Sequence, residues 1–304
     1  MIKIVGYLNP EDFSKDKINK NERKRNNIEV AKRINEAMRH AIPHLNERMR
    51  GFHGVEQDFF DDQGAISQEN FYKNFGQEAV GNDIRHADEQ EKGFYNTHDL
   101  EVQEKYKTQD QDKIVEIIKE EERMGDGNIS EELLFLLMNK VVGEDYIVMR
   151  SSKHDDFLNG TDLLLVDINT GLPVCAFDET VEGYNSRLSK KVERAQDKIK
   201  KGRGMSVKYG CTVEDYGKSK KVVFKELENI PPLFLALDKS DLRELLDEMD
   251  FNITSEVSSR EKSAIQKMLS KIDDQIEKLD PGSDSRISYS AAKAFVEILR
   301  GKVA

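Results

Sequence analysis

The chain has 304 residues, of which 37% are hydrophobic and 35% charged, and a net charge of −11. That length allows one large domain or two ordinary ones. The polar balance, with no tryptophan and 8% aromatics, points to a modest aliphatic core beside exposed or disordered stretches. No apolar run reaches the roughly 18 residues that a membrane-spanning helix needs, so no such helix is expected.

The opening stretch, Met1 to Leu8, is too short and too soon interrupted for a signal peptide. The two cysteines, Cys175 and Cys211, lie in apolar or strand-like stretches and read as buried free thiols; they are too few for a cysteine metal site. A cytoplasmic protein is expected. Residues 1–110 read as a helical or flexible N-terminal region. Within it, Asn21 to Leu45 carries Ile28, Val30, Ala31, Ile34, Ala37, Met38 and Ala41 at close to helical period. Residues 46–110 show no sustained period and are expected to pack poorly, with a short helix near Ser67 to Phe75. His40, His44, His53, His86 and His98 follow no metal-ligand spacing and read as surface residues.

The pattern strengthens over 111–250. Ile114, Ile117 and Ile118 mark a helix ended by Gly125-Asp126-Gly127. Ser130 then looks like the N-cap of a second helix, Glu131 to Lys140, stopped by Gly143. Strands are expected at Tyr146 to Met149, Asp162 to Ile168 and Val174 to Asp178. Arg187 to Lys201 forms a helix with Leu188, Val192, Ala195 and Ile199 on one stripe. Strand-like segments follow at Met205 to Tyr209, Val222 to Phe224 and Pro232 to Leu237, then a helix from Ser240 to Met249. Over 251–304, helices from Thr254 to Leu279 and from Tyr289 to Leu299 form a hairpin that packs on the core or on a second copy of the chain, as in a homodimer.

The hairpin carries the chemistry. With a loop at Asn169-Thr170-Gly171, Ile168 opposes Leu172, and opposed residue numbers sum to 340, as Asp162 and Asp178 do. Their Cβ atoms should lie roughly 5 Å apart on one face. Two carboxylates that close, in apolar strands, need a shared proton, a basic group or a metal between them, and a divalent cation with oxygen ligands fits best. The competing reading is a polar strand start and an exposed strand end.

Gly160-Thr161-Asp162, the hairpin and Phe177-Asp178-Glu179-Thr180 together resemble the PD-(D/E)xK nuclease superfamily over about residues 110–240. The resemblance implies a restriction-endonuclease-like α/β core, a mixed sheet flanked by helices. It also implies Mg²⁺ (or Mn²⁺) held by Asp162 and Asp178, and hydrolysis of nucleic acid, DNA ahead of RNA. Thr180 stands where the family has its catalytic lysine. Members that recruit the lysine from a neighbouring helix point to Lys191, which flanks the buried stripe; Lys198 shares that flank two turns on, and Lys190 faces away. Members that recruit an acid from the preceding helix point to Glu131 or Glu132, which also read as first-turn acids facing the helix dipole. Asp155 and Asp156 are candidates for a second metal, or simply exposed loop acids. Lys153 and His154 receive no role.

Arg187 to Lys225 holds thirteen Lys/Arg against four Asp/Glu, an excess of nine positive charges, leaving −20 for the rest of the chain. Arg187, Arg194, Lys198, Lys200, Lys201, Arg203 and Lys208 are therefore candidate contacts to a nucleic-acid backbone. Two other readings stand beside the nuclease: a non-catalytic nucleic-acid-binding module on the same fold, and a scaffold protein. Phosphate-loop, dinucleotide, nucleophile-elbow and zincin motifs are all missing from the sequence.

Overall fold

The computed structural model describes residues 10–90, 126–182, 187–282 and 287–304. The chain is mixed α/β, built on a four-stranded sheet and a separate two-stranded one. In the larger sheet β1 (Tyr146–Arg150), β2 (Leu163–Asp167) and β3 (Pro173–Glu182) form an antiparallel run. The chain then passes through a helix and a hairpin, β4 (Met205–Tyr216) and β5 (Ser219–Ile230). It returns as β6 (Pro232–Asp238), parallel to β3 and beside it. β1, β2 and β6 are near-continuous apolar runs because the sheet is covered on both faces. The strand-like segments expected at 205–209 and 222–224 are thus parts of one longer hairpin.

Several helices differ from their expected limits; the one expected from Thr254 begins at Ser259, and the last runs past Leu299 to Val303. α1 spans Pro10–Met49, well beyond 21–45, and buries Ile34, Met38, Ala41, Leu45 and Met49. α2 is already helical at Asp126 and runs to Val142, so Ser130 is not its N-cap. The Ser130 hydroxyl instead donates back to the Gly127 carbonyl at 2.9 Å within the helix. Burial of Ile129, Leu133, Leu134 and Leu137 outweighs the cost of Gly127 inside the helix. The helix expected around Ile114 to Ile118 lies outside the described residues.

The expectation of poor packing over 46–110 does not hold for its described part. Phe59, Phe60, Ile66, Phe71 and Val80 are buried. Asn46 pins the segment by accepting from the Phe60 N–H at 2.7 Å and donating to its carbonyl at 3.0 Å. Isolated aromatics carry this packing, and they leave no periodic signature. The expected short helix appears as a 3₁₀ turn, Gln68–Phe71, followed by Tyr72–Phe75. His40, His44, His53 and His86 are exposed; His98 is outside the described residues.

Five more helices pack on the core: α3 (Lys153–Asn159), α4 (Arg187–Lys200), α5 (Lys239–Glu248) and the pair α6 (Ser259–Leu279) and α7 (Ser290–Val303). α6 lies against β6, and its Gln275 closes that edge strand. The Phe234 N–H donates to Gln275 Oε1 at 2.7 Å, and Gln275 Nε2 donates to the Phe234 carbonyl at 2.9 Å. One hydrophobic cluster joins α1, the sheet and the C-terminal helices. Cys175 and Cys211 are buried free thiols. Among the described residues, no helix is long and apolar enough to cross a membrane.

Candidate active site

The register between β2 and β3 is the expected one at Leu163–Phe177, Leu164–Ala176 and Leu165–Cys175, but it arises differently. The Asp167 N–H donates to the Leu172 carbonyl at 3.0 Å and Val166 pairs with Pro173, so Ile168 joins the turn, which is one residue longer than expected. The extra residue at a bulge in β3, Val174, offsets that shift and restores the register. Gly171, at φ +72°, makes the turn possible; a Cβ there would sit 1.7 Å from the Val213 carbonyl oxygen.

Continuing that register by one residue sets Asp162 against Asp178, and their carboxyl groups come within hydrogen-bonding reach. Asp162 is held from both sides. Its N–H donates to the Phe177 carbonyl at 2.8 Å, and its Oδ2 accepts from the Glu179 N–H. Burial, then the charges of Glu131 and Asp178, push the Asp162 carboxyl well above the usual range. Burial also raises Asp178, while the hydrogen bond and charge of Lys191 draw it back.

Lys191 comes from α4. Val192, Ala195 and Ile199 seat that helix in the core, which turns Lys191 toward the sheet. Its Nζ donates to Asp178 Oδ1 and, at 2.7 Å, to the Glu179 carbonyl. The side chains of Thr180 and Arg187 lie outside the described residues.

Glu131 from α2 is near enough to raise Asp162, and it accepts from Arg150 Nη2 at 2.9 Å; Glu132 lies 3.7 Å from Nη1 of the same arginine. Both acids sit inside the helix, not in a first turn at its dipole. Sequence reasoning missed two members of the cluster, Arg150 and Glu179. Arg150 ends β1 and looks like an ordinary strand terminus. Glu179 is adjacent to Asp178, and strand alternation alone would have turned it away. It is buried, and neither of its carboxylate oxygens has a hydrogen-bond partner. Burial and the charges of Asp162 and Glu131 raise its pKa well above the usual range, against the pull of Arg150.

Asp155 is not an exposed loop acid. It lies in α3, fully buried, and accepts from Ser152 Oγ (2.8 Å), Asn159 Nδ2 (2.8 Å), the Lys208 N–H (2.7 Å) and the Tyr209 N–H (3.1 Å). Those bonds fasten α3 to β4 and leave little capacity for a metal. Asp156 lies close enough to Asp162 to raise its pKa. Of the basic candidates, Arg194, Lys198, Lys201 and Arg203 are exposed. Lys200 is paired with Asp197 at 4.0 Å. Lys208 is engaged by Asp83, which also accepts from the Tyr209 hydroxyl at 2.6 Å and faces His154 at 4.0 Å. Lys153 pairs with Asp88 at 2.6 Å.

No family model, no curated protein and no solved structure matches this chain.

Among the described residues, no group of three or more His, Cys, Asp or Glu is arranged to hold a metal ion. The donors that do converge are two carboxylates, Asp162 and Asp178. A pair is what magnesium commonly takes from a protein, with water and substrate phosphate completing its shell. Glu131, Glu132, Asp162, Asp178 and Glu179 are met by Arg150 and Lys191, so acidic groups outnumber basic ones, and burial holds Asp162, Asp178 and Glu179 above the usual carboxyl range. The oxygen donors of Asp162 and Asp178 are of the kind that a hard divalent cation takes.

Proposed function

We propose that this chain is a metal-dependent nuclease of PD-(D/E)xK type, hydrolysing phosphodiester bonds of nucleic acid. The observation that carries the proposal is Lys191. A lysine from the next helix donates to the second of two carboxylates on adjacent strands, in a motif that has threonine where a lysine is expected. A binding module would have no need of that replacement. The run of helix, β1–β3, helix and β6, with β6 parallel to β3, supports a restriction-endonuclease-like core.

Asp162 and Asp178 would hold Mg²⁺ or Mn²⁺. Such an ion lowers the pKa of bound water and offsets charge on the scissile phosphate. Asp162 is set in place by the Glu179 N–H, so its carboxylate needs little reorganisation. Lys191 uses two of its three donors on Asp178 and the Glu179 carbonyl, which leaves one N–H to orient the attacking water or a phosphate oxygen. The excess of basic charge on α4 makes a polyanion the natural substrate.

The test is cleavage of labelled single- and double-stranded DNA and RNA with Mg²⁺, Mn²⁺ or EDTA. Metal-dependent cleavage is expected, abolished in Asp178→Asn and reduced about 100-fold or more in Lys191→Ala. Wild-type protein that binds nucleic acid but cleaves none of these substrates would refute the nuclease and leave the binding module.

A further inference from the structure

α4 does more than deliver Lys191. The helix is held along its length. Its inner stripe is buried, Lys191 ties its first half to Asp178, and Gln196 Nε2 donates to the Lys278 carbonyl at the end of α6 at 3.0 Å. Its C-terminus is closed by Gly202 at φ +71°, which lets the Arg203 N–H reach the Lys198 carbonyl at 3.1 Å. The basic side chains beyond Lys191 therefore project from a rigid rod.

Lys198 follows Lys191 by seven residues on the same flank, two turns or about 10 Å along the axis. It is exposed, and its charge still reaches Asp178. Arg194, Lys201 and Arg203 are exposed too, and among the described residues these four basic groups form no ion pair. Arg194 and Lys198 stand four apart, Lys198 and Lys201 three apart, so like charges are stacked at repelling spacing. The helix dipole favours cations in the last turn, which accounts for Lys198 and Lys200 but not for Arg194 or for Lys201 and Arg203 beyond the helix end. A row of unneutralised cations leading out of an acidic site fits a linear polyanion.

We propose that one strand of the substrate lies along α4, with Lys198 holding a phosphate beside the scissile one and Arg194, Lys201 and Arg203 continuing the track. The substrate is then an oligonucleotide strand extending several residues to one side of the cut, not a mononucleotide. Lys208 is occupied by Asp83 and is not counted in this track. The inference rests on the nuclease reading for the position of the scissile phosphate; Lys198 is a positioning residue within it.

The test is binding of a short labelled single-stranded DNA oligonucleotide to the full chain in EDTA, where no metal supports cleavage, over about 50 to 200 mM salt. Lys198→Gln and Lys201→Gln should each weaken binding several-fold at low salt and reduce the salt slope by about 0.7. Lys262→Gln, whose Nζ bonds the C-terminal Ala304 carbonyl, should leave both unchanged. A Lys198→Gln slope equal to wild type overturns the path along α4, even if the protein cleaves nucleic acid. The reduced slopes without cleavage in Mg²⁺ would support the path and sink the nuclease.

Discussion

Replacing Arg150 with methionine tests the electrostatic account of the site apart from catalysis. The substitution keeps the apolar stem and removes the charge that Glu131 meets at 2.9 Å and Glu132 at 3.7 Å, and that reaches Glu179. Side-chain exposures of 14% for Arg150, 25% for Glu131 and 15% for Glu132 place the cluster between a surface pair and a fully buried one. Removing one partner of a buried pair costs about 3–5 kcal/mol, and an exposed pair less than about 1 kcal/mol. The lower part of the buried range, about 3 kcal/mol, is expected. In urea and EDTA this should appear as a fall in midpoint on the order of 1 M with an unchanged slope.

The deficit should also depend on pH. The Glu179 carboxyl sits well above its ordinary value of 4.5. A group raised in the folded state binds more protons folded than unfolded, so its penalty grows as pH rises through the folded pKa and vanishes below the ordinary value. Arg150→Met raises Glu179 further. The loss relative to wild type should therefore be smallest near pH 4.5, where Glu179 is protonated in both proteins, and should grow once pH passes the wild-type folded pKa. Adding Glu179→Gln should recover part of it, with a coupling of about 1 kcal/mol or more. A loss below about 1 kcal/mol, or one unchanged with pH, would refute the reasoning.

Asp155→Ala strips four donors of their acceptor, two of them backbone N–H groups of β4, and should cost about 2–4 kcal/mol in chemical denaturation; a near-neutral result would mean that α3 is not fastened to β4 through this carboxylate. Gly171→Ala combines a left-handed φ of +72° with a Cβ 1.7 Å from the Val213 oxygen, so a loss of more than about 2 kcal/mol is expected in thermal unfolding.

Much of this site was legible in the chain. The apolar runs named β1, β2, β3 and β6. The stripe of α4 set Lys191 on the flank that meets the sheet, because a helix period fixes which side chains lie beside the buried row. The register placing Asp162 by Asp178 was reached from a loop one residue too short; the bulge at Val174 offset the difference, and sequence spacing does not reveal a bulge. Ser130 looked like a cap because its local preference is real, but burial of the surrounding leucines carried the helix past it.

The features that escaped the sequence reading have a common cause. Arg150 faces Glu131 because β1 ends beside α2. Glu179 is buried because β6 and the helices close over β3. Asp155 is a structural acceptor because β4 returns to it from more than fifty residues away. Local spacing specified the periodic elements and the pair of acids they align, since those depend on residues close together in the chain. Burial, charge balance and the partners of single polar groups depend on contacts between distant segments, which no local pattern encodes.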